Sequence, residues 1–309
     1  MLTPTLARMT SAPGPVPSLS SGALRRETLL HDSSRSRWGG TGPRPVRAHI
    51  LRPAGEGPHP VVLLSHGTGG AFDDLQWLAD ALVSAGFLVA GVDHHGNSTA
   101  DEYLVEGFAF VWERPRDLDV LLTHLRDTEQ IDPRSIGAAG FSLGGYTVAA
   151  ALGARVSPTT AAGVLLGLVP TPPLPEFPDL IPELRARYPH DELLAQIVSG
   201  TGSQRIPEVR AGLLLAPAIC DLLDPTSLAE IAAPVSILWG DADDNAVPSR
   251  NAHVYRDRIP GATGESVGAD VGHYVFTADA ADPTDVRART ASAAVAFFSA
   301  ALSPGGAAH

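Results

Sequence analysis

Gly140-Phe141-Ser142-Leu143-Gly144 sets a serine between glycines two positions away on either side. A serine hydroxyl is a poor nucleophile at neutral pH. Chemistry at Ser142 therefore needs a base within hydrogen-bond reach and a third group to orient that base. The pentapeptide gains its weight from context. It ends a short run of small residues, Ser135 to Phe141, that reads as a strand, and it opens a small-residue helical stretch, Leu143 to Ala154. A serine at that junction sits on a strained turn, which admits only small neighbours and lifts the oxygen out of the sheet. The helix start then directs free amides at the same spot. The predicted chemistry is acyl transfer through Ser142.

On such a strand–turn–helix junction the acid and then the histidine follow along the chain. Four histidines lie downstream of Ser142: His190, His253, His273 and His309. His190 falls in a proline-rich insertion, His253 mid-helix, and His309 is the last residue. His273 lies in the loop Asp270-Val271-Gly272-His273-Tyr274 after a late strand, and is the predicted base. The acid belongs in the loop after Val235 to Trp239, which reads Gly240-Asp241-Ala242-Asp243-Asp244-Asn245-Ala246-Val247-Pro248. Counting from Gly240 favours Asp243, counting back from Pro248 favours Asp244, and Asp241 stays as a third option. Asp243 is the choice taken forward.

A tetrahedral oxyanion needs two backbone N–H donors. Leu143, directly after the nucleophile, supplies one. The glycine-rich loop His66-Gly67-Thr68-Gly69-Gly70 supplies the other, from Thr68 or alternatively Gly67. Phe141, Tyr274, His94 and Trp112 are candidates to line the substrate pocket, with Phe108 and Phe110 beside them. No metal site is predicted. The three acid-loop aspartates lack the spacing and terminal glutamate of a calcium loop. In Asp93-His94-His95, adjacent side chains at a strand end point opposite ways, so the two histidines seldom share one ion.

The elements that must position these residues alternate. Val61 to Leu64, Phe87 to Val92 and Ser135 to Phe141 are short buried strands. Helical stripes follow over 72–86, 115–127 and 143–154. Strand–helix alternation specifies a mostly parallel, doubly wound α/β sheet covered on both faces. The rhythm breaks over 156–208, where six prolines lie between Pro170 and Pro182 and Leu184 to Val198 looks helical. That stretch reads as a small cap over the mouth of the domain. Strands at 211–215, 235–239 and 264–267 and helices at 247–258 and 285–301 complete the pattern. Residues 46–52 suggest an earlier strand. The expected organisation is a flexible leader over 1–40, docked if anywhere on the outside, a catalytic domain over 41–303 containing the cap, and a tail over 304–309.

Composition narrows the classes. The formal net charge of -12 disfavours nucleic acid as a partner. All 22 basic residues are arginine. With no lysine there is no Schiff-base or pyridoxal-phosphate anchor and no P-loop, and a kinase reading fails too. The single cysteine, Cys220, permits no intrachain disulfide, and a reduced cytoplasmic setting fits it. No apolar run is long enough for a membrane helix. A small-molecule substrate is expected, and oligomeric state is left open.

Taken together, several segments resemble one family. They are Leu64-Ser65-His66-Gly67-Thr68-Gly69-Gly70, Asp93-His94-His95-Gly96-Asn97, Arg114-Pro115-Arg116-Asp117, Ile131-Asp132-Pro133-Arg134, Gly140 to Tyr146 and Gly272-His273-Tyr274-Val275-Phe276. Spread over residues 44–300, they resemble the α/β-hydrolase group of predicted dienelactone hydrolases, which is similar to bacterial platelet-activating-factor acetylhydrolases. The resemblance implies hydrolysis of small carboxylic esters without a cofactor. Dienelactone hydrolases carry a cysteine nucleophile where this chain has Ser142, so it implies a general serine esterase. Acyl transfer to other acceptors, amide or peptide cleavage, and a silent binding protein on the same fold are the alternatives.

Overall fold

The computed structural model describes residues 23–170 and 174–303. Eight strands form one sheet: β1 (Leu24–Ser36), β2 (Pro43–Arg52), β3 (His59–Ser65), β4 (Leu88–Asp93), β5 (Ile131–Phe141), β6 (Val209–Leu215), β7 (Val235–Gly240) and β8 (Thr263–Gly268). Their order is β1-β2-β4-β3-β5-β6-β7-β8. β3 to β8 run parallel, while β2 is antiparallel to β4 and β1 to β2. The middles of the central strands, Val61–Leu64 and Leu88–Val92, are apolar because both faces are covered. Val61 and Leu63 of β3 pack into one core, and Val62 and Leu64 into the other.

The helices are α1 (Gln76–Ser84), α2 (Val105–Ala109), α3 (Arg114–Thr128), α4 (Leu143–Leu152), α5 (Pro158–Leu165), α6 (Leu180–Arg187), α7 (His190–Gly200), α8 (Pro225–Ala229), α9 (Ala252–Arg258) and α10 (Val286–Ala301). Leu78 and Leu82 of α1 and Phe298 of α10 fill the core on one face of the sheet. Leu118, Leu121, Leu122 and Leu125 of α3, the small residues of α4 and Tyr255 of α9 fill the other. This is the α/β-hydrolase fold. Because β3, β5, β7 and β8 are parallel, the loops at their carboxyl ends meet along one edge of the sheet, the usual place for a site in such folds.

Between α4 and β6 lie α5, α6 and α7, and α6 packs on α2. Arg187 donates to both carboxylate oxygens of the buried Glu106, at 2.9 and 3.0 Å, and Tyr188 donates to one of them at 2.7 Å. Phe177 stands edge-on to Phe108 with ring centroids 4.9 Å apart.

Three expectations need correction. Residues 24–36 are not a loose leader: they form β1, paired residue for residue with β2 from Leu24↔Arg52 to Asp32↔Arg44. An outer strand has one neighbour and one shielded face, so it needs little apolar alternation, and Leu24-Arg25-Arg26-Glu27 shows little. Residues 1–22 and the 304–309 tail lie outside the described residues. The helix expected over 184–198 is split, because Pro189 lacks the N–H that a continuous helix would need, and α6 ends before it. The stretch 247–258 begins as a 3₁₀ turn, Pro248–Arg250, and becomes α-helical only from Ala252. No described helix is long and apolar enough to cross a membrane.

Candidate active site

Ser142 joins β5 to α4 with φ 54° and ψ -116°, left-handed backbone for a residue with a Cβ. Such a conformation costs about 1–3 kcal/mol and persists only where neighbours enforce it. Here Ser142 N–H donates to the Leu215 carbonyl at 2.8 Å, and its own carbonyl accepts from Gly145 and Ala218 at 2.9 and 3.1 Å. The flanking glycines follow from contact. A Cβ on Gly140 would overlap the Gly144 carbonyl, and one on Gly144 would overlap the carbonyl of Ser65 in β3.

His273 Nε2 lies 3.0 Å from Ser142 Oγ, and His273 Nδ1 lies 2.7 Å from Asp243 Oδ2. The remaining Asp243 oxygen accepts the backbone N–H of Asn245 at 3.0 Å and of Ala246 at 2.7 Å, which fixes the carboxylate plane. Asp244 is exposed, and Asp241 turns away to accept Trp239 Nε1 at 2.9 Å. Of the three candidate acids, the structure brings only Asp243 to the histidine. The His273 loop is gripped from behind by α10, since Arg287 Nη1 donates to the carbonyls of Val275, Thr277 and Ala280 at 2.8–3.0 Å.

The His66–Gly70 loop runs beside Ser142. Gly67 is so close that a Cβ there would sit 3.0 Å from the Phe141 ring and 3.4 Å from the Ser142 Cβ. The Thr68 N–H has no acceptor among the described residues. Leu143 opens α4, so its N–H has no partner within the helix. Both amides are free to serve an oxyanion. Gly69 is tied down at both ends, its N–H by Asn97 Oδ1 at 3.1 Å and its carbonyl by Tyr103 OH at 2.6 Å.

Behind this loop lies a second serine–histidine–aspartate constellation. Ser65 Oγ is 2.9 Å from His94 Nε2, and His94 Nδ1 is 2.8 Å from Asp117 Oδ2. Ser65 is completely buried, whereas Ser142 keeps 8 % of its surface open. The inner set is a buried hydrogen-bond network. His94 therefore does not line a pocket, contrary to expectation, because both its nitrogens are engaged in the interior. His95 stacks on Trp38 with centroids 5.9 Å apart, so the neighbouring histidines diverge. Trp112 is likewise core, beneath Gly200 of α7 and beside Phe110. Phe141 packs under the His273 ring at 4.8 Å, and Tyr274, 60 % exposed, stands at the mouth.

Burial, with the nearby Arg114 charge, pushes the His94 pKa down to about 4 against the opposing pull of Asp117 and Asp93. Burial and Arg114 also hold His66 well below the ordinary histidine range. Both imidazoles are neutral in the folded protein. The unfolded chain therefore binds more protons below pH ~6.5, and stability falls as pH drops through the window from about 6.5 to 4. His94 alone contributes about 3 kcal/mol of this loss. Urea midpoints measured from pH 7 to 4 will show it, and His94→Gln will flatten the slope. An unchanged slope in that variant would refute the assignment.

Two groups escaped the sequence reading: Arg114, and Arg35 on β1. Arg114 and Asp117 stand in a segment singled out only for its resemblance, and the Trp38-Gly39-Gly40-Thr41-Gly42 turn before β2 was the available sign of a hairpin.

A family model described as serine aminopeptidase, S33, matches residues 56–211, just over half of the chain. The chain belongs to that family. The matched span of this S33-family chain includes the His66–Gly70 loop and Ser142 and ends before Asp243 and His273. That family lies in the α/β-hydrolase superfamily, and the match does not extend to a likeness to dienelactone hydrolases. No curated protein matches it. Among solved structures it is similar to a Pyrococcus horikoshii acylaminoacyl peptidase, with TM-score 0.60 and 14 % identity over 94 % of this chain and 43 % of that one. It is also similar to a Mycobacterium tuberculosis puromycin-hydrolyzing peptidase, with TM-score 0.56 and 17 % identity over 91 % of this chain and 40 % of that one. The S33-family chain thus spans about two fifths of each neighbour, and the likeness is one of fold.

Proposed function

We propose that this protein cleaves carboxylic esters through an acyl-enzyme on Ser142. The observation that carries the reading is the alignment of Ser142 Oγ, both nitrogens of His273 and Asp243 at 3.0 and 2.7 Å. His273 Nε2 takes the hydroxyl proton as the oxygen attacks the carbonyl. The Thr68 and Leu143 amides receive the oxyanion, each worth roughly 3 kcal/mol of barrier. His273 hands the proton to the departing alcohol. A water deprotonated by the same nitrogen then releases the acid. Asp243 holds the imidazole in the Nδ1–H tautomer and stabilises its cation. The insertion, acting as a cap, shapes the acyl or leaving-group side, with Tyr274 at the entrance and Phe141 beneath.

Peptide or amide cleavage on the same residues is the second reading, favoured by the family description and by the names of both structural neighbours. One experiment addresses both. A fluorophosphonate probe should label Ser142 stoichiometrically and leave the buried Ser65 unmarked. A panel of p-nitrophenyl esters and aminoacyl p-nitroanilides should give kcat/KM at least 100-fold higher for the esters. Higher kcat/KM on the anilides would replace the esterase reading with the peptidase one, and failure to label Ser142 would remove both.

A further inference from the structure

Arg114, the first residue of α3, is 2 % exposed, and all its acceptors are uncharged. Its Nε donates to Thr147 Oγ1 on α4 at 3.0 Å, and its Nη1 to Asn97 Oδ1 at 2.9 Å. Its Nη2 donates to Ser65 Oγ at 3.3 Å and to the His66 carbonyl in a short hydrogen bond. A buried cation with no hydrogen-bonded carboxylate is an expensive arrangement, which the Asp117 charge one turn along α3 only partly offsets. Burial pushes its pKa down to about 9, still above neutrality, so the guanidinium stays cationic.

What this expense achieves follows from peptide geometry. In a trans peptide the C=O and the N–H point to opposite sides. Arg114 draws the His66 carbonyl inward, so the Gly67 N–H must point away from the guanidinium, and Gly67 lies beside Ser142. The next peptide is held the same way. His66 Nε2 accepts the His94 N–H at 3.1 Å, which leaves the proton on Nδ1, and Nδ1 donates to the Gly67 carbonyl at 2.6 Å. The Thr68 N–H therefore faces outward too. Asn97, itself held by Arg114, fixes the Gly69 N–H beyond them. The same guanidinium reaches α4, whose first amide is Leu143. One side chain thus links the two elements that carry both oxyanion donors.

The geometry points to Arg114 as a positioning residue that sets the orientation of the oxyanion-hole amides relative to Ser142. The Ser65–His94–Asp117 network is its support: Ser65 donates to the neutral His94 and so offers its lone pairs to Arg114. This role rests on the serine-hydrolase reading above. An interaction that aims donors at a developing charge acts on the transition state more than on bound substrate, so it shows in kcat rather than KM.

The test compares wild type with Arg114→Met, Arg114→Lys and Asn97→Ala. The readouts are kcat and KM on a p-nitrophenyl ester, the second-order rate of fluorophosphonate inactivation, and near-UV circular dichroism as the check on folding. Arg114→Met should lower kcat and the inactivation rate about 100-fold, the typical loss for an oxyanion donor, with KM within about threefold. Arg114→Lys keeps the charge but cannot reach His66, Asn97 and Thr147 together, so it should also fall, by about tenfold or more. Should Arg114→Met fail to fold, Asn97→Ala, with Arg114 intact, should show a loss of about tenfold in the same two rates. Folded variants that keep both rates within about threefold of wild type would overturn the positioning role. A wild-type protein that the probe does not label at Ser142 would instead strike the serine-hydrolase reading, and the two failures are separate.

Discussion

Asp243→Asn should lower kcat on a p-nitrophenyl ester about 10⁴-fold, while Asp244→Asn leaves it within about threefold. The reason lies in the two backbone donors already committed to Asp243. Asn245 and Ala246 N–H point at one of its oxygens, so an asparagine there must keep its carbonyl toward them. Its NH₂ then faces His273 Nδ1 in place of the carboxylate oxygen now 2.7 Å away. An imidazole that must accept at Nδ1 carries its proton on Nε2, and Nε2 can no longer take one from Ser142. Asp244 is exposed and outside the chain of hydrogen bonds. Steady-state kinetics of the two variants decides the matter. Retention of more than a tenth of kcat by Asp243→Asn, together with collapse in Asp244→Asn, would move the acid one residue along.

Arg35→Met should destabilise the fold by about 3–5 kcal/mol, the cost of stranding buried carboxylates. For a domain of this size that lowers Tm by roughly 10 °C. Arg35 comes from β1 and reaches Asp32 at 2.5 Å, Asp117 at 2.7 Å and Glu113 at 3.2 Å, and both distant partners are buried with it. Burial works against its charge, yet Asp117, Asp32 and Glu113 outweigh it and raise its pKa. The relation is mutual. Burial alone would raise the Asp117 pKa, but Arg35 and the His94 hydrogen bond bring it down to about 2. Without Arg35, the Glu113 oxygen that it held keeps Arg44 at 3.8 Å, while the other stays on Arg116 at 3.0 Å, so the buried Asp117 carries most of the loss. Arg26, half-exposed on the same strand and paired with Glu129 at the end of α3, is the control, and its loss should cost about 0–1 kcal/mol. Calorimetry of Arg35→Met and Arg26→Met tests the contrast. If Arg35→Met melted within about 2 °C of wild type, β1 would be an ornament on the fold.

The sequence made the central sheet legible because its strands are buried on both faces. Val61 to Leu64 and Phe87 to Val92 can be little else than interior strands when helical stripes separate them. Ser142 was legible for the same reason, since a glycine-flanked serine at a strand–helix junction carries its geometry in its neighbours. The acid loop was harder, because three aspartates of equal chemistry differ only in which one the backbone turns inward. β1 was hidden because an outer strand bearing arginines and glutamate shows no apolar alternation. Arg114 was hidden because its partners, Ser65, His66, Asn97 and Thr147, are far apart in the chain and meet only after folding. His94 was misplaced into a pocket because a polar residue at a strand end reads as surface, whereas Asp117 and Ser65 satisfy both its nitrogens inside.

Interatomic spacing alone would credit this chain with two hydrolytic centres, since the inner serine, histidine and aspartate match the outer three to within a fraction of an ångström. What separates them is a twisted main-chain torsion and a route for solvent at Ser142, neither of which Ser65 possesses. A geometric template meant to find hydrolases among folded proteins would therefore do better to score the nucleophile's torsion and accessibility before it scores how near its partners lie.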